Sequence, residues 1–376
     1  MKTALQDKSR EAVVFMAPAV RAGIGEFIGK AEYSNLAPKA VTALRRLGFA
    51  KVFDMSFSAD ITTIEEATEF LIRLRDGHPL PQFTSCCPGW VKIAETKYPQ
   101  LLNHLSTTKS PQAIFGSLLK YFYKGSEGRM PVIASLVPCV LKKPESERPD
   151  LWINKGERDI DFVFTTKELT DLAADENIAI DECGPGAFDS FAPESGSGVI
   201  YGSTGGVASA IVRTVLSAAQ GSFDSALLAP LRSQENIKRL SFTIKAAGPV
   251  PEILRDRFGS LDFLNGRTIK IAAVYSVPAI EKVVQDAAAG GEFAGYDLIE
   301  FMMCQGGCVG GAGQKRAENM AEAGTKRAGV LGAADMESTI KSPLSNPALL
   351  NFYRSYLPDG PGVKLAQQLV HKHTAE

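Results

Sequence analysis

Eight short β-prone apolar runs alternate with longer helical stretches along most of the chain, and no other feature limits the fold as strongly. The runs are Val13–Ala17, Lys51–Met55, Pro81–Ser85, Val132–Val137, Asp161–Thr165, Ser241–Lys245, Ile269–Tyr275 and Tyr296–Met302. Helical periodicity falls at Pro38–Leu47, Ile64–Arg75, Gly89–Lys97, Pro111–Tyr121, Thr166–Asp175, Gly206–Ala218, Ile280–Gly290, Gln314–Ala328, Pro347–Tyr356 and Lys364–His371. Pro38 opens the first of these, where its missing N–H costs nothing. Alternation of this kind predicts an α/β fold with parallel strands. Gly and Pro cluster at Cys183–Gly206 and Gly306–Gly313, which are expected to be loops. No repeat of 20–50 residues is visible.

Charge removes several functional classes. The 41 Lys and Arg residues against 42 Asp and Glu give a net charge of −1, so bulk charge does not hold this chain to nucleic acid or anionic lipid. At 376 residues the chain can bury a large core without disulfides. The longest apolar run, Ala12–Val20, spans nine residues and contains Pro18, far short of the ~20 needed to cross a bilayer. The start, Met1 to Lys8, has neither an apolar h-region nor a twin arginine. A cytoplasmic location is expected.

Six cysteines then need explaining: Cys86, Cys87, Cys139, Cys183, Cys304 and Cys308. In a long chain with a cytoplasmic character, spaced cysteines point to metal ligation or catalysis rather than disulfides. Five of the six fall just past a predicted strand, and ligands of open α/β sheets bind outside the carboxyl ends of strands. Cys87, Cys139, Cys304 and Cys308 make four thiolates, with Cys86 beside them. Four thiolates suit a [4Fe–4S] cluster or a structural zinc. Zinc sites use two close pairs, whereas Cys304-x-x-x-Cys308 is the one close spaced pair here. Cys304-Gln-Gly-Gly-Cys308-Val-Gly-Gly-Ala-Gly-Gln314 also favours a cluster, because glycines let backbone N–H groups approach sulfur. A helix beginning near Gln314 is expected to add its positive dipole end. The plainer alternative is a set of buried apolar cysteines. Cys183 reads as a loop or core thiol.

At this point the sequence resembles a known family. Thr84-Ser-Cys-Cys-Pro-Gly-Trp90 resembles the first signature of [FeFe]-hydrogenases, Pro138-Cys-Val-Leu-Lys-Lys-Pro-Glu145 the second, and Glu300 through Gln314 the third. Ala17-Pro-Ala-Val-Arg21, Lys109-Ser-Pro-Gln112, Gly202-Ser-Thr-Gly-Gly206, Ser345-Asn-Pro-Ala348 and Leu365–Thr374 are similar too. The resemblance runs from about residue 12 to the end.

The resemblance implies a single catalytic H-domain of two intertwined lobes, with mainly parallel sheets flanked by helices and the active site in the cleft. The first lobe would be 1–125, with helices of 340–376 packing back on it, and the second 126–339. It implies an H-cluster, in which a [4Fe–4S] cluster is joined through a cysteine sulfur to a [2Fe] subcluster carrying CO, CN⁻ and azadithiolate. Cys87, Cys139, Cys304 and Cys308 would bind the cubane, Cys308 as the bridge, and Cys86 would donate protons. Lys142 would hydrogen-bond a cyanide, the alternative being a solvated loop lysine. Ala17, Pro18, Pro111, Gln112, Pro138 and Met302 would line the cofactor, although Met302 also reads as an ordinary core side chain. Protons would pass from Glu69 through Ser106, Glu66 and water to Cys86. Glu66 and Glu69 are three apart and share a helix face. The competing reading is a solvated acidic helix start, with Thr62 and Glu65 as a capping box.

Other segments point elsewhere or nowhere. Gly202–Gly206 lacks the lysine of a phosphate loop. His78, His104, His371 and His373 show no metal-ligand spacing beyond the tail pair, which reads as a solvated helix end. Gln305, Val137, Ala208, Ser209 and Ala312 depart from the family pattern, at positions that tune cluster potential and access. No cysteine-dense ferredoxin-like segment is present, so an external electron carrier of the ferredoxin type is expected, with dedicated maturation proteins as further partners.

The expected activity is reversible reduction of two protons to H2. The rivals are a hydrogen sensor with the same cofactor and little turnover, a non-catalytic Fe–S assembly protein of the related eukaryotic family, and a zinc-structured scaffold. Cys86, Glu66, Ser106 and Glu69 argue against the sensor, and Cys308 with Lys142 argue against the assembly protein.

Overall fold

The computed structural model describes residues 1–30, 32–126, 128–233, 235–245 and 248–372. His373 and Thr374 of the tail motif lie outside the described residues. Each of the eight expected strands forms: β1 (Arg10–Met16), β2 (Lys51–Asp54), β3 (Gln82–Phe83), β4 (Met130–Val137), β5 (Phe162–Thr165), β6 (Ile237–Thr243), β7 (Thr268–Tyr275) and β8 (Leu298–Met302). They make two four-stranded sheets, ordered β2-β1-β4-β5 and β3-β8-β7-β6. All pairings are parallel except β6 with β7. β1 is buried from Glu11 to Met16, as a central strand covered on both faces must be. Edge strand β6 instead alternates, with Lys238 and Leu240 buried and Arg239 and Ser241 exposed. Those charges hide its start, so it begins four residues before the expected Ser241.

The strands of the two sheets interleave along the chain. β4 and β5 join β1 and β2, while β3 joins the second sheet, so a boundary at 125/126 cuts across both sheets. Helices Pro347–Tyr356 and Lys364–Val370 do pack back on the first core, through Leu349, Phe352, Tyr353, Ala366, Leu369 and Val370.

The helix Ser56–Asp76 links the halves. Phe57, Ile61 and Ile64 enter the first core, and Ala59, Ala67, Phe70, Leu71 and Leu74 the second. It starts eight residues before the expected Ile64, because its polar residues are satisfied internally. Hydroxyls of Thr62, Thr63 and Thr68 donate to the carbonyls of Ser58, Ala59 and Ile64, one turn earlier. Asp60 accepts from the amide and hydroxyl of Ser195, both at 2.6 Å. A capping box at Thr62–Glu65 is therefore excluded, since both residues are buried inside the helix.

The helix expected at Gln314 instead runs Met320–Glu337, capped by the Asn319 side chain on the Glu322 amide. Gln314 is used differently: its Nε2 donates to Ala19 O at 2.8 Å, tying the loop to the end of β1. The first turns of the Met320–Glu337 helix lie against the cysteine loop, where a Cβ on Gly324 would be 3.3 Å from Gln305 O. Among the described residues, no helix is long and apolar enough to cross a membrane.

Candidate metal centre

Two neighbouring strand ends and one opposing end bring the cysteines together. β3 and β8 pair in register, Gln82 with Leu298 and Phe83 with Ile299, so Cys86–Cys87 and Cys304–Cys308 emerge from adjacent carboxyl ends. Cys139 follows β4 of the other sheet. Buried Trp90 fixes the first turn by donating from Nε1 to Thr84 O at 3.1 Å. Gly313 N donates to Pro138 O at 2.7 Å, which pins the third loop to the second. Gly307 is required on two counts: its φ is +89°, and a Cβ there would lie 2.7 Å from Thr204 N. The glycine-dense turn Gly202–Gly206, which is no phosphate loop, thus serves as the wall behind Cys304 and Cys308. A positive helix end does reach the site, at a place the sequence reading missed: Cys87 is the N-cap of Pro88–Lys97, signalled by the proline that follows it.

The cysteines are free thiols. Burial pushes Cys304 up to about 12, with the charges of Cys139 and Cys87 adding to it. Burial also raises Cys308 well above the usual thiol value, followed by Cys87, Cys139 and Cys304, with Lys142 opposing. Cys139 is raised mainly by burial. The thiols feel one another's charge, yet among the described residues no three His, Cys, Asp or Glu side chains close in on a single ion. Four thiols within reach of one another's charge fit a polynuclear iron–sulfur group, whose positive charge lets them ionise. Cys87, Cys139, Cys304 and Cys308 are the residues that could hold it.

Beside Cys308 lies a small, mostly apolar cavity of about 60 Å³. Cys86, Cys87, Cys139 and Lys142 line it, as do all six expected cofactor-lining residues, Ala17, Pro18, Pro111, Gln112, Pro138 and Met302. Lys142 is no solvated loop lysine. Its Nζ donates to Cys86 O at 3.0 Å and to both carboxylate oxygens of Glu145, at 2.9 and 2.8 Å. Burial works against that charge, but Glu145 more than offsets it and the Lys142 pKa is raised. Glu145 also accepts from Ser110 Oγ and Gln112 Nε2. Glu145 was missed in sequence, where its position three after Lys142 on a helical turn is the usable signal.

Cys86 borders the cavity and is only partly shielded by area, because its surface opens into that space. Burial nonetheless raises its pKa well above the usual thiol value, with Glu66 and Cys308 adding to the rise. Glu66 is fully buried and pushed up to about 8, first by burial and then by the charge of Glu69. Tyr201, also missed in sequence, donates to Glu66 Oε2 at 3.4 Å, while Glu66 Oε1 is buried without a partner. Ser106 Oγ donates to Glu69 Oε2 at 2.8 Å, and Arg73 holds Oε1. The expected Glu69–Ser106 link is therefore present. No direct hydrogen bond joins Ser106 to Glu66, or Glu66 to Cys86, among the described residues.

Cys183 is a buried core thiol. His371 is not a solvated helix end: it is buried, with Nε2 3.0 Å from Glu65 Oε2 and Nδ1 2.8 Å from Thr107 Oγ1. Val137 lines the cysteine cavity, whereas Gln305 and Ser209 line a second cavity of about 310 Å³ behind the third loop. The Ala208 amide donates to buried Glu300.

Comparison with known proteins places this arrangement. The family model described as the iron only hydrogenase large subunit, C-terminal domain, matches residues 10–312. Iron hydrogenase 1 of Clostridium pasteurianum is 35% identical over 99% of this chain and 62% of its own length. Cytosolic iron-sulfur assembly component 3 of Bos taurus is 30% identical over 85% of this chain and 65% of its own. The chain thus spans less than two thirds of the length of each of these relatives. A solved structure of apo [FeFe]-hydrogenase HydA1 from Chlamydomonas reinhardtii superposes with a TM-score of 0.82, at 32% identity, covering 99% of this chain and 98% of the other. On this fold, this cysteine arrangement and these matches, the chain belongs to the iron-only hydrogenase large-subunit family, through that family's C-terminal domain.

Proposed function

We propose that the chain catalyses 2H⁺ + 2e⁻ ⇌ H2 as an [FeFe]-hydrogenase. Cys87, Cys139, Cys304 and Cys308 would hold a [4Fe–4S] cubane, and Cys308 would also bridge to a two-iron unit with CO, CN⁻ and azadithiolate. When bound, this cofactor supplies the electron transfer and the hydrogen chemistry. The observation that carries the reading is the cavity beside Cys308, walled by Cys86 and Lys142 and otherwise almost wholly apolar. A site that only stored a cubane would need neither a fifth thiol nor a largely shielded ammonium there.

The protein's own residues have separable tasks. Pro18, Pro111, Pro138 and Met302 exclude water from the cavity. Gln112 locks its wall by accepting from Ser135 and donating to Lys142 O and Glu145. Lys142 offers a compact ammonium, and an anionic diatomic ligand would exchange for one of its present partners. Cys86 would hold and release the proton at the cavity. Glu66, whose buried Oε1 has no partner within the chain, would pass it inward from Ser106 and Glu69. Electrons would come from an external carrier of the ferredoxin type, and insertion of the two-iron unit would need dedicated maturation proteins.

Maturation with the two-iron unit, followed by infrared spectroscopy and an H2 assay with reduced viologen, tests the proposal. Bands of iron-bound CO and CN⁻ with H2 evolution support it. Bands without turnover point to a sensor. A cubane alone, without these bands, points to the assembly role that relatives such as the bovine protein carry in their name.

A further inference from the structure

The C-terminal segment reaches the outer end of the proposed relay. Lys109 N donates to Val370 O at 2.7 Å and Lys372 N donates to Thr107 O at 2.8 Å, so residues 107–109 and 370–372 are laced together. This presents the His371 ring between Glu65 and Thr107. Both Glu65 and His371 are buried, with exposures of 1% and 4%. They lie on the wall of an open cavity of about 430 Å³ that Glu69 and Thr107 also line.

The hydrogen-bond directions follow from the chemistry. The Glu65 carboxylate accepts from Tyr353 OH through Oε1, and through Oε2 it faces Nε2 at 3.0 Å. A carboxylate only accepts, so Nε2 carries a proton. In neutral imidazole, Nδ1 is then an acceptor and attracts the single hydroxyl proton of Thr107 at 2.8 Å. The same hydroxyl lies 3.3 Å from Glu69 Oε2. When His371 is protonated, Nδ1–H donates to Thr107 Oγ1, and the Thr107 proton is free to turn toward Glu69. Glu69 Oε2 then accepts a third donor, besides Ser106 Oγ at 2.8 Å and Thr107 N at 2.9 Å.

We infer that His371 is a positioning residue for the relay: it sets whether the Thr107 hydroxyl points at itself or at Glu69. The Thr107 hydroxyl therefore adds its proton to the donors around Glu69 Oε2 only when His371 Nδ1 does not hold it. No bond other than the O–H and N–H hydrogen bonds changes. The groups facing this pair are Glu65, Tyr353, Glu69 and its partner Arg73, together with Arg257 and His78 on the cavity wall. The inference rests on the reading of Glu69, Ser106 and Glu66 as a proton path.

Two readouts test it. In ligand-free protein labelled with ¹⁵N at histidine, Thr107→Val should shift the His371 Nδ1 resonance, and Thr107→Ser should leave it in place. An Nδ1 signal indifferent to Thr107→Val overturns the inference. In loaded protein, Thr107→Val and His371→Phe should each slow H2 turnover about fivefold, the factor of one hydrogen bond, with Thr107→Ser close to wild type. The double variant should be no slower than the slower single variant, because both break one chain. Effects that multiply, or a Thr107→Val variant with unaltered turnover, overturn it. Because loss of a buried histidine can loosen the tail, Thr107→Val carries the test by itself. Glu66→Gln is the control for the path: if it too left turnover intact, the path reading would fall, and the ¹⁵N result would still decide the hold of His371 on Thr107.

Discussion

Glu66→Gln replaces one oxygen of a fully buried carboxyl by an amide, keeps the side chain's shape, and removes its ionisable proton. The folded protein pushes the Glu66 pKa from the ordinary 4.5 up to about 8, chiefly by burial. The folded state thus keeps a proton that the unfolded chain has lost between these two values. The unfolded state binds fewer protons there, so stability falls as pH rises, by about 1.4 kcal/mol for each pH unit from this one group. The contribution is fully present below about pH 4.5 and is lost as pH rises through about 8. Gln has no such dependence. The stability of Glu66→Gln relative to wild type should therefore climb by roughly 3–4 kcal/mol from pH 5 to pH 8. Guanidinium unfolding of the ligand-free protein across that range reads this directly. Turnover should move the other way, falling by about 10²-fold or more if the carboxyl relays protons. A stability difference that stays flat with pH would refute the assigned burial of a neutral carboxyl. Unaltered turnover would refute its place in the relay.

Cys86→Ser should nearly abolish H2 evolution while leaving the CO and CN⁻ infrared bands of the loaded protein in place; undiminished turnover would defeat the proton-donor assignment. Glu145→Gln leaves the partly buried Lys142 ammonium beside an amide instead of a carboxylate, and loss of that charge-assisted partner costs about 1.5–3 kcal/mol, measurable as a lower unfolding midpoint. Gly307→Ala puts a Cβ 2.7 Å from Thr204 N at a positive φ, so the Cys304–Cys308 loop must shift and bound iron per chain should fall on anaerobic reconstitution.

The strands were readable because each is a short apolar run bounded by turn residues, and the five site cysteines were readable because they follow three of those runs. Where charge is placed inside an element, the pattern misleads. Lys238 and Arg239 conceal the start of β6, and Asp60, Thr62 and Thr63 conceal the first turns of Ser56–Asp76, since each finds its partner in the folded chain. The apparent helix start at Gln314 failed for a related reason: that side chain is committed to Ala19 O, and Asn319 supplies the cap. The partners that complete the site are distant in sequence. Tyr201 lies 135 residues from Glu66, and His371 lies 306 residues from Glu65. No local spacing announces either pair. Glu145 lies only three residues from Lys142, and was legible in principle as a helical ion pair.

The most direct measurement is infrared spectroscopy of the protein after anaerobic maturation with the two-iron unit, with H2 followed in the same sample under reduced viologen. Iron-bound CO and CN⁻ bands together with H2 evolution are the predicted result. A [4Fe–4S] cubane with neither bands nor H2 would contradict the hydrogenase assignment.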